Sequence, residues 1–235
     1  MIDFYKIYNI IKSRTFQFGA SSSDRRNSMS NADTITYILG GGFMKKASDG
    51  GQAFFRTIIG NRNTANVLIC CFAMPHDQWQ KGYDDDKDKI LSVNRDSTLS
   101  FQNANLDNFL SQVSWADVIV FRGGSTKDLI DNLCRVHGWQ NDLSGKTIVG
   151  SSAGAYMLAS SYVVTDTTPQ LASGLGLLPI VIATHYRSTF IHDGDSDKSR
   201  VFWDKVDDLM YAQADGRDVI ALKEGDFTTL TRVNL

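Results

Sequence analysis

The chain has 235 residues, 42% of them hydrophobic and 21% charged, with a formal net charge of −2. That length can bury a sizeable core in one α/β domain without staples, and the near-neutral charge gives no bulk electrostatic drive toward nucleic acid or an anionic membrane. No apolar run approaches the roughly 18–20 residues of a membrane span, so no membrane partner is expected.

The first residues, MIDFYKIYNIIKSRTF, are interrupted by Lys6, Asn9, Lys12 and Arg14 and lack the continuous apolar segment of a signal peptide. Residues 17–34 are polar and rich in Ser and Asn, with little to bury. Residues 1–33 are therefore read as a flexible extension, and residues 34–235 as a single domain. From Tyr37 onward, strand and helix patterns alternate. TYIL is a short strand ending in Gly40-Gly41-Gly42, and GQAFFRTIIG is helical. NVLICCFAM, closed by Pro75, has the unbroken apolar run of a buried parallel strand. A polar helix is expected from His76 to about Val93, with DDDKDK as a solvated face. STLSF is a strand, NLDNFLSQVSWA a helix, and DVIVF a strand stopped by Gly123-Gly124. Then come the helix TKDLIDNLCRV, capped by Ser125, the strand KTIVGS, and a helix of small residues beginning AGAYMLA. SRVFWDKVDDLMYAQA reads as an amphipathic helix, and DVIALKEGD with FTTLTRV as two strands of a hairpin.

This alternation predicts an α/β fold with a mostly parallel sheet flanked by helices on both faces. Three glycine-rich loops fall at strand carboxyl ends, where such sheets bind ligands: Gly40–Gly42, Gly123-Gly124 and Gly150–Gly154. Cys70 and Cys71 are adjacent on a strand, so they point to opposite faces and are poorly placed for a disulfide; they read as buried small hydrophobes. No CxxC pair suggests structural zinc, and the cysteine usage fits a reducing, cytoplasmic compartment.

The chemistry sits in Gly150-Ser151-Ser152-Ala153-Gly154, a G-x-S-x-G between a strand and a helix. A serine on such a turn has a strained backbone, and close approach of strand and helix demands small residues two positions either side. Glycine spacing selects Ser152 over Ser151. The Ala153 N–H, at the helix start, would be one oxyanion donor, and the Gly124 N–H the second. A serine needs a base. His185, after the apolar run LGLLPIVIAT, follows Ser152 in the chain order of elbow-type hydrolases, with His192 as the fallback; His76 and His137 read as bystanders. Asp166 lies between Ser152 and His185 and is the first choice for the acid that orients the base, with Asp193, Asp195 and Glu224 as rivals.

ILGGGF, FRGGST, GSSAGA, a histidine about thirty residues beyond the elbow, and IALKEGD together resemble the peptidase E and cyanophycinase family of serine peptidases, from about Tyr37 to the C-terminus. The resemblance implies a three-layer, flavodoxin-like sandwich similar to class I glutamine amidotransferases, with serine in place of their cysteine. It implies Ser152 as nucleophile, His185 as base, Asp166 as the acidic member, and Gly124 and Ala153 at the oxyanion positions. It further implies an exopeptidase for short peptides, such as dipeptides with N-terminal Asp, and Arg187, Arg122 and Arg200 are the candidates to meet a substrate carboxylate. This reading requires no cofactor or metal and takes a small peptide as partner, with the chain a monomer or homodimer. Two alternatives stand beside this expectation. One is a cyanophycinase-like hydrolase or a hydrolase of another amide; the other is a catalytically silent binding member of the family.

Overall fold

The computed structural model describes residues 16–18, 34–164, 169–188 and 196–233. The strands are β1 (Phe16–Phe18), β2 (Thr34–Gly40), β3 (Thr64–Cys70), β4 (Thr98–Asn103), β5 (Val118–Phe121) and β6 (Thr147–Ser151). They continue with β7 (Ala159–Val164), β8 (Gln170–Ser173), β9 (Leu178–Ala183), β10 (Asp218–Ala221) and β11 (Phe227–Val233). The helices are α1 (Gln52–Ile59), α2 (Trp79–Val93), α3 (Phe109–Trp115), α4 (Thr126–Leu133), α5 (Ala153–Leu158) and α6 (Ser196–Ala212).

The main sheet has the order β1-β11-β2-β6-β5-β3-β4 and is parallel except where β11 runs antiparallel to β2. Its central strands β3, β5 and β6 are largely apolar on both faces because both are covered. On β3, Val67 and Ile69 pack with Phe54, Phe55, Ile58 and Ile59 of α1. Leu68 and Cys70 face the opposite way, toward Phe109 and Val113 of α3 and Leu129 and Leu133 of α4. The alternation separates Cys70 from Cys71, and both are fully buried free thiols; burial pushes the Cys71 thiol up to about 12. Among the described residues no helix is long and apolar enough to cross a membrane.

A second sheet, β10-β9-β7-β8, packs α6 through Val206 and Met210 against Val163, Val181 and Ala183. Its presence overturns the expected C-terminal hairpin. β10 pairs in parallel with β9, and β11 pairs with β2, so the two segments belong to different sheets. Leu222 extends the first pairing through its N–H to the Ala183 carbonyl, and the turn that follows carries the chain across to the main sheet. Two other expectations change. Phe16–Phe18, within the stretch set apart as an extension, pairs in parallel with β11 as an edge strand. The acidic run of α2 is not wholly solvated: Asp86 is 9% exposed because its carboxylate meets the Arg122 guanidinium at 2.7 Å.

Strand β6 lies at the centre of the main sheet and leads straight into α5. A Cβ on Gly150 would sit 2.6 Å from the Gly154 carbonyl, and one on Gly154 would sit 2.2 Å from the Phe121 carbonyl oxygen. Strand and helix therefore meet backbone to backbone at both positions. Gly154→Ala is expected to destabilise the fold by about 2–3 kcal/mol, because backbone atoms rather than a flexible side chain must give way. A lower urea midpoint at unchanged slope checks it.

Candidate active site

Ser152 leaves β6 with φ 54° and ψ −113° and caps α5. A non-glycine residue in that region carries strain on the order of 1–3 kcal/mol, which the surroundings must hold in place. They do so through two backbone hydrogen bonds: the Ser152 N–H donates to the Gly40 carbonyl at 3.0 Å, and its carbonyl accepts from the Tyr156 N–H at 3.0 Å. The Gly123-Gly124 turn after β5 packs onto this elbow, since a Cβ on Gly123 would lie 3.1 Å from Ser152 Cβ. As expected, the Ser125 hydroxyl caps the helix beyond it, accepting from the Asp128 N–H. Gly123 therefore meets Ser152 from the end of the neighbouring strand, with Gly124 next in the chain, and Ala153 follows Ser152 as the first residue of α5.

His185 comes two residues after β9, also with positive φ, 52°. Its Nε2 is 2.9 Å from Ser152 Oγ, and its Nδ1 is 3.1 Å from Glu224 Oε1. A carboxylate only accepts, so the neutral ring keeps its proton on Nδ1 and Nε2 accepts from the serine hydroxyl. Several groups fix this ring. The His185 N–H donates to the Gly41 carbonyl at 2.9 Å. Gly42 lies flat beneath it, so that a Cβ there would fall 2.3 Å from Cε1. The Phe43 ring meets it edge-on at 5.2 Å. One residue earlier, Thr184 is pinned by Tyr156 of α5, whose hydroxyl bonds both its N–H (3.1 Å) and its carbonyl (3.3 Å). Burial pushes the Tyr156 phenol up, so it stays protonated for this task.

Glu224 follows β10, and its side chain is only 8% exposed. Burial alone would raise its carboxyl, but hydrogen bonds from Lys46, Ser188 and His185 outweigh that and hold it below the ordinary carboxylate value. Ser188 Oγ donates to Oε1 at 2.7 Å, and the Lys46 ammonium pairs with Oε2. The acid beside the base is thus Glu224, which the sequence supplied only as a rival. Asp166, the first choice, lies outside the described residues, as do His192, Asp193, Asp195 and the Arg200 side chain. The partner seen at Nδ1 comes from the turn after β10.

The other two arginine candidates are bound elsewhere. Arg122 turns away from the elbow to α2, where it meets Asp86, Asp85 and the Gly82 carbonyl. Arg187, with φ 51°, bonds Asp207 of α6 at 2.8 Å and the Tyr186 hydroxyl at 2.9 Å. Sequence reasoning also missed Phe43, Tyr156 and Ser188. Gly42 carried a signal, as part of one of the three glycine-rich strand ends.

Residues 53–232 match the family model of peptidase family S51. The chain belongs to peptidase family S51. That membership makes it a serine peptidase by family. Two solved structures share its fold. A candidate peptidase E protein from Listeria monocytogenes EGD-e superposes with a TM-score of 0.59 at 14% identity, over 85% of this chain and 98% of that one. A peptidase from an acI-B1 Actinobacterium gives 0.57 at 19% identity, over 84% of each. The comparison with curated proteins gives no match.

Because folding lowers the Glu224 carboxyl, its ionised form favours the fold. That contribution is present above the ordinary carboxylate value and is lost as pH falls through the lowered one. Glu224→Gln is expected to cost about 1–3 kcal/mol at pH 7, the scale of lost charge-assisted hydrogen bonds. Paired denaturation curves at descending pH should show the gap between wild type and variant closing only in the acid range.

Proposed function

We propose that the chain is a serine exopeptidase of short peptides, with dipeptides bearing N-terminal Asp as the preferred class. The observation that carries the mechanism is His185 bridging Ser152 Oγ at 2.9 Å and Glu224 Oε1 at 3.1 Å. In this reading His185 Nε2 takes the hydroxyl proton as Ser152 Oγ bonds to the scissile carbonyl carbon. Glu224 keeps the ring oriented and offsets the charge of the imidazolium. The amides of Gly124 and Ala153 stabilise the oxyanion. His185 then gives its proton to the departing amine, the C–N bond breaks, and an acyl-enzyme remains on Ser152. Water, deprotonated by the same imidazole, releases the acid and restores the serine.

The aspartyl preference rests on the likeness to peptidase E. At Arg187 and Arg122, a substrate carboxylate would have to compete with Asp207 or with Asp85 and Asp86. That occupancy favours a second reading, a hydrolase of another amide or of an aspartate-containing polymer, with the same three side chains at work. A small peptide as partner, with the chain as a monomer or homodimer in the cytoplasm, completes the proposal; the free thiols Cys70, Cys71 and Cys134 are in keeping with a reducing compartment.

Hydrolysis of Asp-p-nitroanilide beside the Ala, Leu and Glu analogues, with Ser152→Ala in parallel, separates these readings. The expected result is turnover of the Asp substrate alone, reduced about 10⁴-fold or more in the variant. Turnover of the other analogues and not of Asp contradicts the aspartyl preference, and full activity in Ser152→Ala contradicts the mechanism.

A further inference from the structure

The geometry points to Lys46 as a positioning residue of this site, an ammonium that holds Glu224 in the one orientation in which it can serve His185. The inference rests on the reading of Ser152, His185 and Glu224 given above. Lys46 ends a single 3-10 turn, Met44–Lys46, which follows directly on the glycines that close β2. Its ammonium pairs with Glu224 Oε2, leaving Oε1 to His185 Nδ1 and Ser188 Oγ. The two oxygens thus divide their tasks, with one anchored and one presented to the base. A glutamate has three side-chain torsions, and a carboxylate held only through the working oxygen could rotate away from the ring.

The backbone makes this pairing local although 178 residues separate the partners. The Gly225 N–H donates to the Gly42 carbonyl at 2.9 Å, and a Cβ on Gly225 would lie 2.5 Å from the Ala47 nitrogen. The turn that carries Lys46 and the turn that carries Glu224 therefore touch backbone to backbone. The Lys46 turn also reaches the base. Phe43, its cap, has φ 42° and puts its ring edge-on to His185, and the Lys46 ammonium lies 5.3 Å from the centre of that same ring. A bulky residue at positive φ is an outlier that packing must enforce, and here the enforced residue touches the histidine. One short turn thus contacts base and acid together.

Among the described residues, the charged and titratable groups facing Glu224 are Lys46 from this turn and His185 from the loop after β9, with the Ser188 hydroxyl beside it. Lys46 lowers the Glu224 carboxyl by its hydrogen bond and its charge, so its loss lets Glu224 keep a proton to higher pH. The acid side of the activity profile then moves upward.

The test follows inactivation by an alkyl fluorophosphonate, which needs the same activated serine but no known substrate. Wild type, Lys46→Met, Lys46→Arg and Ser152→Ala are compared across pH. Lys46 is about half exposed (47%), so the variants are expected to fold, and thermal melts of each confirm it. Lys46→Met should lower the limiting inactivation rate about tenfold, a part of the roughly 10²–10⁴-fold that acid–base catalysis supplies. Half-saturation should stay within about twofold, because Lys46 acts through Glu224 rather than on the probe. The acid limb should shift upward, and Lys46→Arg should restore both rate and limb. A wild-type rate and acid limb in Lys46→Met, with Ser152→Ala unreactive, overturns the role of Lys46 and leaves the site standing. Labelling that persists in Ser152→Ala overturns the nucleophile, and the role of Lys46 with it.

Discussion

The site depends on the end of one strand. Where β2 closes in Gly40-Gly41-Gly42, three successive carbonyls each hold a different functional segment. Gly40 accepts from Ser152, Gly41 from His185 and Gly42 from Gly225, the residue after Glu224. Nucleophile, base and acid come from three distant parts of the chain, yet each is referred to the same short piece of backbone. Hydrogen bonds of about 2.9–3.0 Å to consecutive peptide units set relative positions more tightly than side-chain contacts alone. Side chains there would collide with what the glycines support, His185 in the case of Gly42.

The rest of the fold follows from supplying those segments. The main sheet delivers Ser152 from its central strand, with Gly123-Gly124 from the neighbouring strand alongside. The smaller sheet delivers His185 and Glu224 from the ends of its adjacent parallel strands β9 and β10. Tyr156 couples the two sheets, because it lies on the helix that Ser152 caps and grips Thr184 next to the base. Positive φ at Ser152, His185 and Phe43 concentrates backbone strain around one imidazole, as expected where geometry serves chemistry rather than stability.

Much of this was legible in the sequence, because its signals are local. The strand–glycine–helix pattern around Ser152 and the apolar run before His185 need no knowledge of tertiary structure. Glu224 was harder. Its turn, KEGD, reads like a hairpin turn, and only the pairing of β10 with β9 and of β11 with β2 shows that the chain changes sheets there. Chain order favoured Asp166, while the contact 39 residues beyond His185 belongs to Glu224. The arginines show the converse problem. A sequence marks Arg122 and Arg187 as cations but cannot show that Asp86 and Asp207 reach them.

The most direct test sets Glu224→Gln beside Asp166→Asn and measures how fast a fluorophosphonate labels Ser152 in each. If Glu224 orients His185, the Glu224 variant should lose roughly 10²-fold or more in labelling rate while the Asp166 variant keeps the wild-type rate. The reverse pattern, a slow Asp166 variant and a normal Glu224 variant, would contradict the account.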